Sequence, residues 1–265
     1  MELQGAHVLI TGASRGIGAA MAREFAIAGA RVSLVARSVD GLSKVAAATG
    51  GLTFPADLLD EDATDTLVAR VEAEAGPVDV LVNNAGLESR RWLAREDPHS
   101  IREVTRLNLE VPLVLSQAVL PGMLARGKGT LVYVSSLAGT SSFPGMTVYT
   151  ATKGGITNFA GSVRMELKDT PVNVTLVAAG PVDTEMWDRL EDEDRFAPIL
   201  DRFNALHLIP KKSPELLARR TVAAVRADRR HVRVPRRLSA TYWLGEAPRR
   251  LSEVLLSGVK YDPNA

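Results

Sequence analysis

The chain has 265 residues, 46% of them hydrophobic, with 32 lysines and arginines against 31 aspartates and glutamates and no cysteine. That length fills one large α/β core and is thin for two independent domains, while a formal net charge of +1 gives no global attraction for nucleic acid or another polyanion. The missing cysteines exclude disulfides, thiolate catalysis and cysteine-ligated zinc, and His7, His99, His207 and His231 are scattered without metal-ligand spacing, so a small-molecule site without metal is expected.

The opening "MELQGAHVLITGAS" enters a strand pattern at once, without a cationic segment and apolar signal region. No run reaches the roughly 18 uninterrupted apolar residues of a membrane span, and a soluble cytoplasmic protein is expected. Short β-rich runs then alternate with helical segments: "HVLITG", "GAAMAREFAIAGA", "RVSLVA", "LSKVAAAT", "LTFPAD", one helix through "ATDTLVARVEAEAG", and "VDVLVNNAG". "GTLVYVSS" and "VNVTLVAAG" are the later strands. Repeated β-α-β units predict a parallel sheet with helices on both faces, and strands that are apolar throughout predict that both faces are covered.

Beyond Thr184 the texture changes. Residues 185–212 form a long connection, acidic and then amphipathic, before the helix "PELLARRTVAAVRA"; a substrate lid and a plain surface excursion both fit such a length. Residues 229–265 read as a basic C-terminal extension, with seven arginines and one acid, Glu246, between Arg229 and Arg250, around a possible strand "HVRVP".

Three motifs carry chemistry. "TGASRGIG", residues 11 to 18, joins the first strand to the first helix. Gly12 permits the turn, Gly16 lets the backbone approach a pyrophosphate, Gly18 lets the helix pack closely, and the helix N-terminus faces the anion. "NNAG" lies at 83 to 86 and "YTATK" at 149 to 153, with Tyr149 and Lys153 on one helical face. At the end of the second strand, a carboxylate would select NAD through the ribose hydroxyl; here stand Ala36 and then Arg37. Arginine can hold a phosphate through paired hydrogen bonds, and Arg15 could reach the same group, so NADP(H) is expected over NAD(H). Asp40 falls too late to reverse this, and Ser38 or Asp40 should cap the following helix.

Together the Gly-x-x-x-Gly-x-Gly spacing, "NNAG" and "YTATK" resemble the short-chain dehydrogenase/reductase family over residues 5 to about 186. The resemblance implies a Rossmann-like, doubly wound parallel sheet in a three-layer α/β/α single domain spanning residues 1–265. It implies a cofactor held by Gly12, Ser14, Arg15, Gly16, Ile17, Gly18 and Arg37, then by Asp57 beside the adenine with Leu58 next to it. Asn83 resembles the residue that ties neighbouring strands, while Asn84, Ala85 and Gly86 let the cofactor lie close. After the last clear strand, Gly180, the Val182 backbone and Thr184 would meet the nicotinamide. Ala179 replaces the family's usual proline before that glycine, and a looser turn is expected.

Reducing a carbonyl with a hydride leaves an alkoxide that needs a proton. Tyrosine, with a reference pKa near 10, is poorly matched to neutral pH, and a cation one turn away at Lys153 should pull that value down. By the resemblance, Ser136 holds the substrate oxygen, with Ser135 pointing to the other side of the strand. Asn108 is the fourth member, distorting a helix and linking Lys153 to solvent through water. Lys153 also takes the nicotinamide ribose.

The substrate pocket of the family is built from loops that here carry Phe143, Pro144, Met146, Leu87, Trp92, Leu93, Met186, Trp187, Phe196, Ile199 and Phe203, which predicts a lipophilic carbonyl or alcohol. Reduction is the expected direction. The same residues would serve an alcohol or hydroxysteroid dehydrogenase running oxidatively, and an idle site would leave an NADP-binding scaffold or sensor. A homodimer through apolar helices around 109 to 124 and 150 to 168 is expected, the tetramer being in doubt because the Gly-rich C-terminal strand is missing. The basic tail reads as a solvated face ahead of a membrane contact.

Overall fold

A computed structural model describes residues 1–89, 91–191, 201–202 and 211–235. Seven parallel strands form its centre: β1 His7–Thr11, β2 Arg31–Ala36, β3 Leu52–Pro55, β4 Val80–Asn83, β5 Gly129–Ser136, β6 Val172–Ala179 and β7 His231–Val234. Their order across the sheet is β3-β2-β1-β4-β5-β6-β7. Strands β1 and β4 are buried at every position, as parallel strands covered on both faces must be.

The helices are α1 Gly16–Ile27, α2 Val39–Thr49, α3 Glu61–Asp65, α4 Leu67–Ala75, α5 Pro98–Thr105, α6 Val111–Arg126, α7 Thr147–Glu166, α8 Glu185–Glu191 and α9 Pro214–Arg226. One apolar core joins α1, α2 and α9 to the sheet through Met21, Phe25, Leu42, Leu217 and Val225. A second, on the other face, joins α4, α6 and α7 through Val71, Leu115, Val119, Ile156 and Ala160. The result is the three-layer α/β/α, Rossmann-like arrangement. The chain winds outward in both directions from the β1–β4 pair, and such a reversal opens a crevice at the carboxyl ends of the strands.

Three expectations change. The single helix over residues 63–76 is two: Asp60 caps α3, and Thr64 and Thr66 turn their hydroxyls back onto the carbonyls of Asp60 and Asp62, a local competition with regular helical bonding. The extension starting at 229 is partly integral to the sheet, since β7 pairs with β6 from Leu176↔His231 to Ala179↔Val234; the rest of it, from 236, lies outside the described residues. Nor is the turn after β6 loose. Ala179 stays in the ladder, the Gly180 N–H donates to Val234 O at 2.7 Å, and Val182 pairs with Lys212. A Cβ on Gly180 would lie 2.9 Å from Pro235, so only glycine fits there.

Between α5 and α6 the helix continues through a π turn, Arg106–Glu110, without interruption. The joined run Pro98–Arg126 is long and apolar enough to cross a membrane by length and composition alone; its inner face, Val111, Leu115, Val119 and Met123, is buried in the second core.

Leu115 is fully buried and Leu93 is 55% exposed. Leu115→Ala should lower the unfolding free energy by about 2–5 kcal/mol, and Leu93→Ala by less than about 0.5 kcal/mol, measured by urea denaturation.

Candidate active site

A cleft of about 860 Å³ runs along the carboxyl ends of the strands. At one end, Gly12 adopts φ +66, and a Cβ there would meet Asn84 at 2.9 Å and Ala85 at 3.0 Å. Gly18 is more confined still: its Cβ would fall 2.2 Å from Gly12 O, so this glycine lets α1 close on the loop itself. No side chain caps the first turn of α1, which leaves its N–H groups facing the cleft. Ser14, Arg15, Gly16 and Ile17 complete this wall.

Two arginines stand here with acidic neighbours. Arg15 pairs with Glu185 at 2.5 Å and Arg37 approaches Asp57 at 3.9 Å, all with side chains about half exposed or more. Ser38 is the cap of α2, accepting from Gly41 N, while Asp40 and Lys44 lie in the cleft wall. Asp57 lines the cleft and also accepts from Leu59 N, whereas Leu58 is largely buried though it touches the cleft.

The strand tie expected of Asn83 belongs to its neighbour. Asn84 Nδ2 donates to Thr11 O at 2.8 Å, and Thr11 Oγ1 accepts from the N–H groups of Asn84 and Ala85. The Asn83 side chain turns the other way, to Ser116 on α6, because successive strand residues face opposite sides.

At the other end the four expected catalytic side chains converge. Ser136, at the tip of β5, stands beside the Tyr149 phenol, whose ionisation it eases, and accepts from Ala138 N. Ser135 faces the other side, bonded to Thr157 and to Lys153 O. Lys153 is buried, with Nζ donating to Val134 O at 2.8 Å and lying 5.6 Å from the centre of the Tyr149 ring. Asn108 sits in the π turn, buried, and its amide embraces the Leu87 peptide: Oδ1 accepts from Leu87 N at 2.7 Å and Nδ2 donates to Leu87 O at 2.8 Å. The same Nδ2 reaches Thr152, whose hydroxyl donates to Tyr149 O.

The electrostatics differ from expectation. Burial pushes the Tyr149 phenol above its ordinary value; the Ser136 hydrogen bond opposes this, and Glu88 adds repulsion. Desolvation brings the lysine itself down to about 8, because an ammonium this deep, without a carboxylate partner, is the form that burial penalises.

Leu87, Phe143, Pro144, Met146, Met186 and Trp187 line the cleft as expected. Trp92 and Leu93 do not: they are 45% and 55% exposed on the surface. Phe196, Ile199 and Phe203, and most of the lid over 185–212, lie outside the described residues; α8 forms the start of that segment. Gly86, Ala85, Gly180, Val182 and Thr184 all line the cleft. Sequence reasoning missed Glu88 and Arg189, a pair at 2.9 Å that joins the "NNAG" loop to α8 across the cleft wall. The available signal was Glu88 itself, two residues past Gly86, in a loop from which only the apolar Leu87, Trp92 and Leu93 were assigned to the pocket.

A family profile described as short chain dehydrogenase matches residues 6–195. The 3-oxoacyl-(acyl-carrier-protein) reductase FabG of Escherichia coli (strain K12) is 32% identical over 197 residues, covering 74% of this chain and 81% of its own. Among solved structures, a metagenomic short-chain oxidoreductase in complex with NADP is 33% identical, with a TM-score of 0.69 over 86% of this chain and 92% of that one. A short-chain dehydrogenase from Streptomyces avermitilis reaches a TM-score of 0.79 at 26% identity, covering 97% of this chain and 98% of that one.

The buried lysine leaves a signature in stability. The unfolded chain keeps the Lys153 proton up to about 10.5, whereas the folded protein releases it near 8. Below pH 8 the lysine is a constant penalty; between the two values the unfolded state binds more protons, so stability rises with pH. The unfolding free energy of the wild type minus that of Lys153→Met should therefore climb by on the order of 1 kcal/mol per pH unit from pH 8 to 10; a flat difference in urea titrations would count against it.

Proposed function

The chain belongs to the short-chain dehydrogenase family of oxidoreductases, and we propose that it is an NADP(H)-dependent reductase of a small, mostly apolar ketone or aldehyde. The observation that carries this reading is the Ser136–Tyr149–Lys153 group at the closed end of a glycine-walled cleft. The residues of that cleft fit a dinucleotide. Gly12, Gly16 and Gly18 leave room for a pyrophosphate beside the uncapped start of α1, with Asn84, Ala85 and Gly86 as the floor and Gly180, Val182 and Thr184 facing the nicotinamide. Arg15 and Arg37 would take a ribose phosphate in place of their present acidic neighbours, and the relative solved with NADP supports this choice.

NADPH, when bound, supplies the hydride for the carbonyl carbon. The Ser136 hydroxyl holds the carbonyl oxygen, and Tyr149 gives that oxygen its proton. Burial holds Tyr149 above its ordinary range, so at neutral pH it carries the proton that reduction calls for. The buried phenolate left behind is costly. Lys153, brought down to about 8, gives up a proton readily to restore it. Asn108 holds the Leu87 loop that closes this corner.

The reading extends to assembly and place. A homodimer through the outer faces of α6 and α7 is supported by Leu113, Leu120 and Phe159, which stay partly exposed, and is checked by size-exclusion chromatography with light scattering. A cysteine-free chain is compatible with the cytoplasm.

A panel of carbonyls and alcohols followed by NADPH absorbance tests the reading. The kcat/KM with NADPH should exceed that with NADH by at least tenfold, and Arg37→Ala should erase most of that ratio; a preference for NADH would overturn the cofactor assignment. Tyr149→Phe should lower turnover by roughly 10²- to 10⁴-fold while NADPH binding, measured by fluorescence, stays within about twofold. Loss of binding would instead make Tyr149 structural.

A further inference from the structure

Glu88 differs from the other acids of the cleft. The side chains of Asp57 and Glu185 are 49% and 63% exposed, whereas Glu88 is only 8% exposed. Its Oε1 accepts from Arg189 Nε at 2.9 Å. Its Oε2 is buried and has no hydrogen-bond partner among the described residues. A carboxylate oxygen taken from water without a partner is strongly unfavourable, and the cleft that Glu88 lines also carries the apolar Leu87, Met186 and Trp187.

Its place is close to the chemistry. Gly86, two residues earlier, lies against Lys153 Nζ, which a Cβ would approach to 3.6 Å. Ser89, the next residue, accepts from Tyr149 N at 2.8 Å. Glu88 thus follows a residue that packs on Lys153 and precedes one that bonds the Tyr149 backbone, and its charge is felt by the Tyr149 phenol. An acceptor without a protein partner in the cleft wall can take a donor carried by the substrate.

We propose that Glu88 is a substrate-recognition residue whose Oε2 accepts a hydrogen bond from a hydroxyl or ammonium group close to the reacting carbonyl, selecting hydroxy- or amino-substituted ketones and aldehydes with an otherwise apolar body. The inference rests on the reading of the cleft as a carbonyl reductase site and names its substrate class. A site built to accept such a bond discriminates against an analogue that lacks the donor, because the acceptor then stays unpaired. Arg189 holds Oε1 and leaves Oε2 to the substrate.

The test compares α-hydroxyacetophenone and α-aminoacetophenone with acetophenone, using the full chain and NADPH. The kcat/KM ratio of the substituted to the plain ketone should be roughly tenfold or more in the wild type, should fall toward one in Glu88→Leu, and should survive in Arg189→Met. A wild-type ratio near one, or a ratio untouched by Glu88→Leu, overturns the proposal. So does its loss in Arg189→Met, which would make Glu88 a latch for α8. If Glu88→Leu does not fold, Glu88→Gln, which keeps an acceptor oxygen, reads the same ratio and should lose the advantage of the ammonium compound. If no ketone is reduced, the reductase reading fails separately, and calorimetric titration of the same three compounds into the NADP-loaded protein decides: tighter, Glu88-dependent binding of the donor-bearing compounds upholds the recognition role, and equal binding removes it.

Discussion

The Asn108 amide and the Leu87 peptide exchange two hydrogen bonds, at 2.7 and 2.8 Å, and the chemical end of the cleft is arranged around that exchange. A loop leaving a buried strand carries backbone groups that must find partners. Asn108 satisfies both groups of Leu87 with one side chain, which it can do because the π turn Arg106–Glu110 turns this position inward. Single π turns inside α-helices recur at functional sites. With Leu87 fixed, Gly86 lies against Lys153, Glu88 enters the cleft wall and Ser89 reaches the first turn of α7. Thr152 closes the circuit from Asn108 Nδ2 to Tyr149 O.

The same confinement sets the electrostatics. Lys153 has a carbonyl for a partner rather than a carboxylate, so its charge is poorly compensated and its proton is loosely held. Tyr149 is buried with an acid nearby, which together outweigh the opposing effect of Ser136, so its proton is tightly held. In the proposed reduction, Tyr149 is the proton donor and Lys153 the neighbour that restores its proton. At the far end of the cleft the cations are treated in the opposite way: Arg15 and Arg37 are exposed beside exposed acids, where such pairs are worth little and an entering anion can displace them.

How much of this was legible in the sequence depended on the range of the physics involved. The inner strands could be read because burial on both faces leaves continuous apolar runs, and the edge strands β3 and β7 were visible as the short runs "LTFPAD" and "HVRVP". Ser136 against Ser135 could be chosen because strand residues alternate sides. Asn83 against Asn84 was misread for the mirror reason: the strand ends between them, and the tie to Thr11 comes from the residue just past its end. Trp92 and Leu93 were placed in the pocket by hydrophobicity alone, yet the short 3-10 turn they enter leaves them on the surface. Ala179 shows a different limit. The turn it precedes is held by the Lys212 and Val234 backbones, and no local pattern reveals partners that arrive from over 30 positions away.

Glu88 was the hardest feature to read, and the reason is general. Choosing pocket residues by hydrophobicity picks Leu87, Trp92 and Leu93 from this loop and passes over its charged side chains, Glu88 among them. What distinguishes this acid is the difference between its two oxygens: one is matched to an arginine on α8 and the other is matched to nothing. That asymmetry arises only when the loop is pinned at Leu87, α8 is folded and Tyr149 is in place, three conditions set by segments far apart in the chain. An ion pair needed only to hold α8 would gain from exposing its free oxygen to water. Keeping that oxygen buried, beside a phenol whose ionisation it opposes, makes sense where a donor arrives together with the carbonyl whose oxygen Tyr149 protonates.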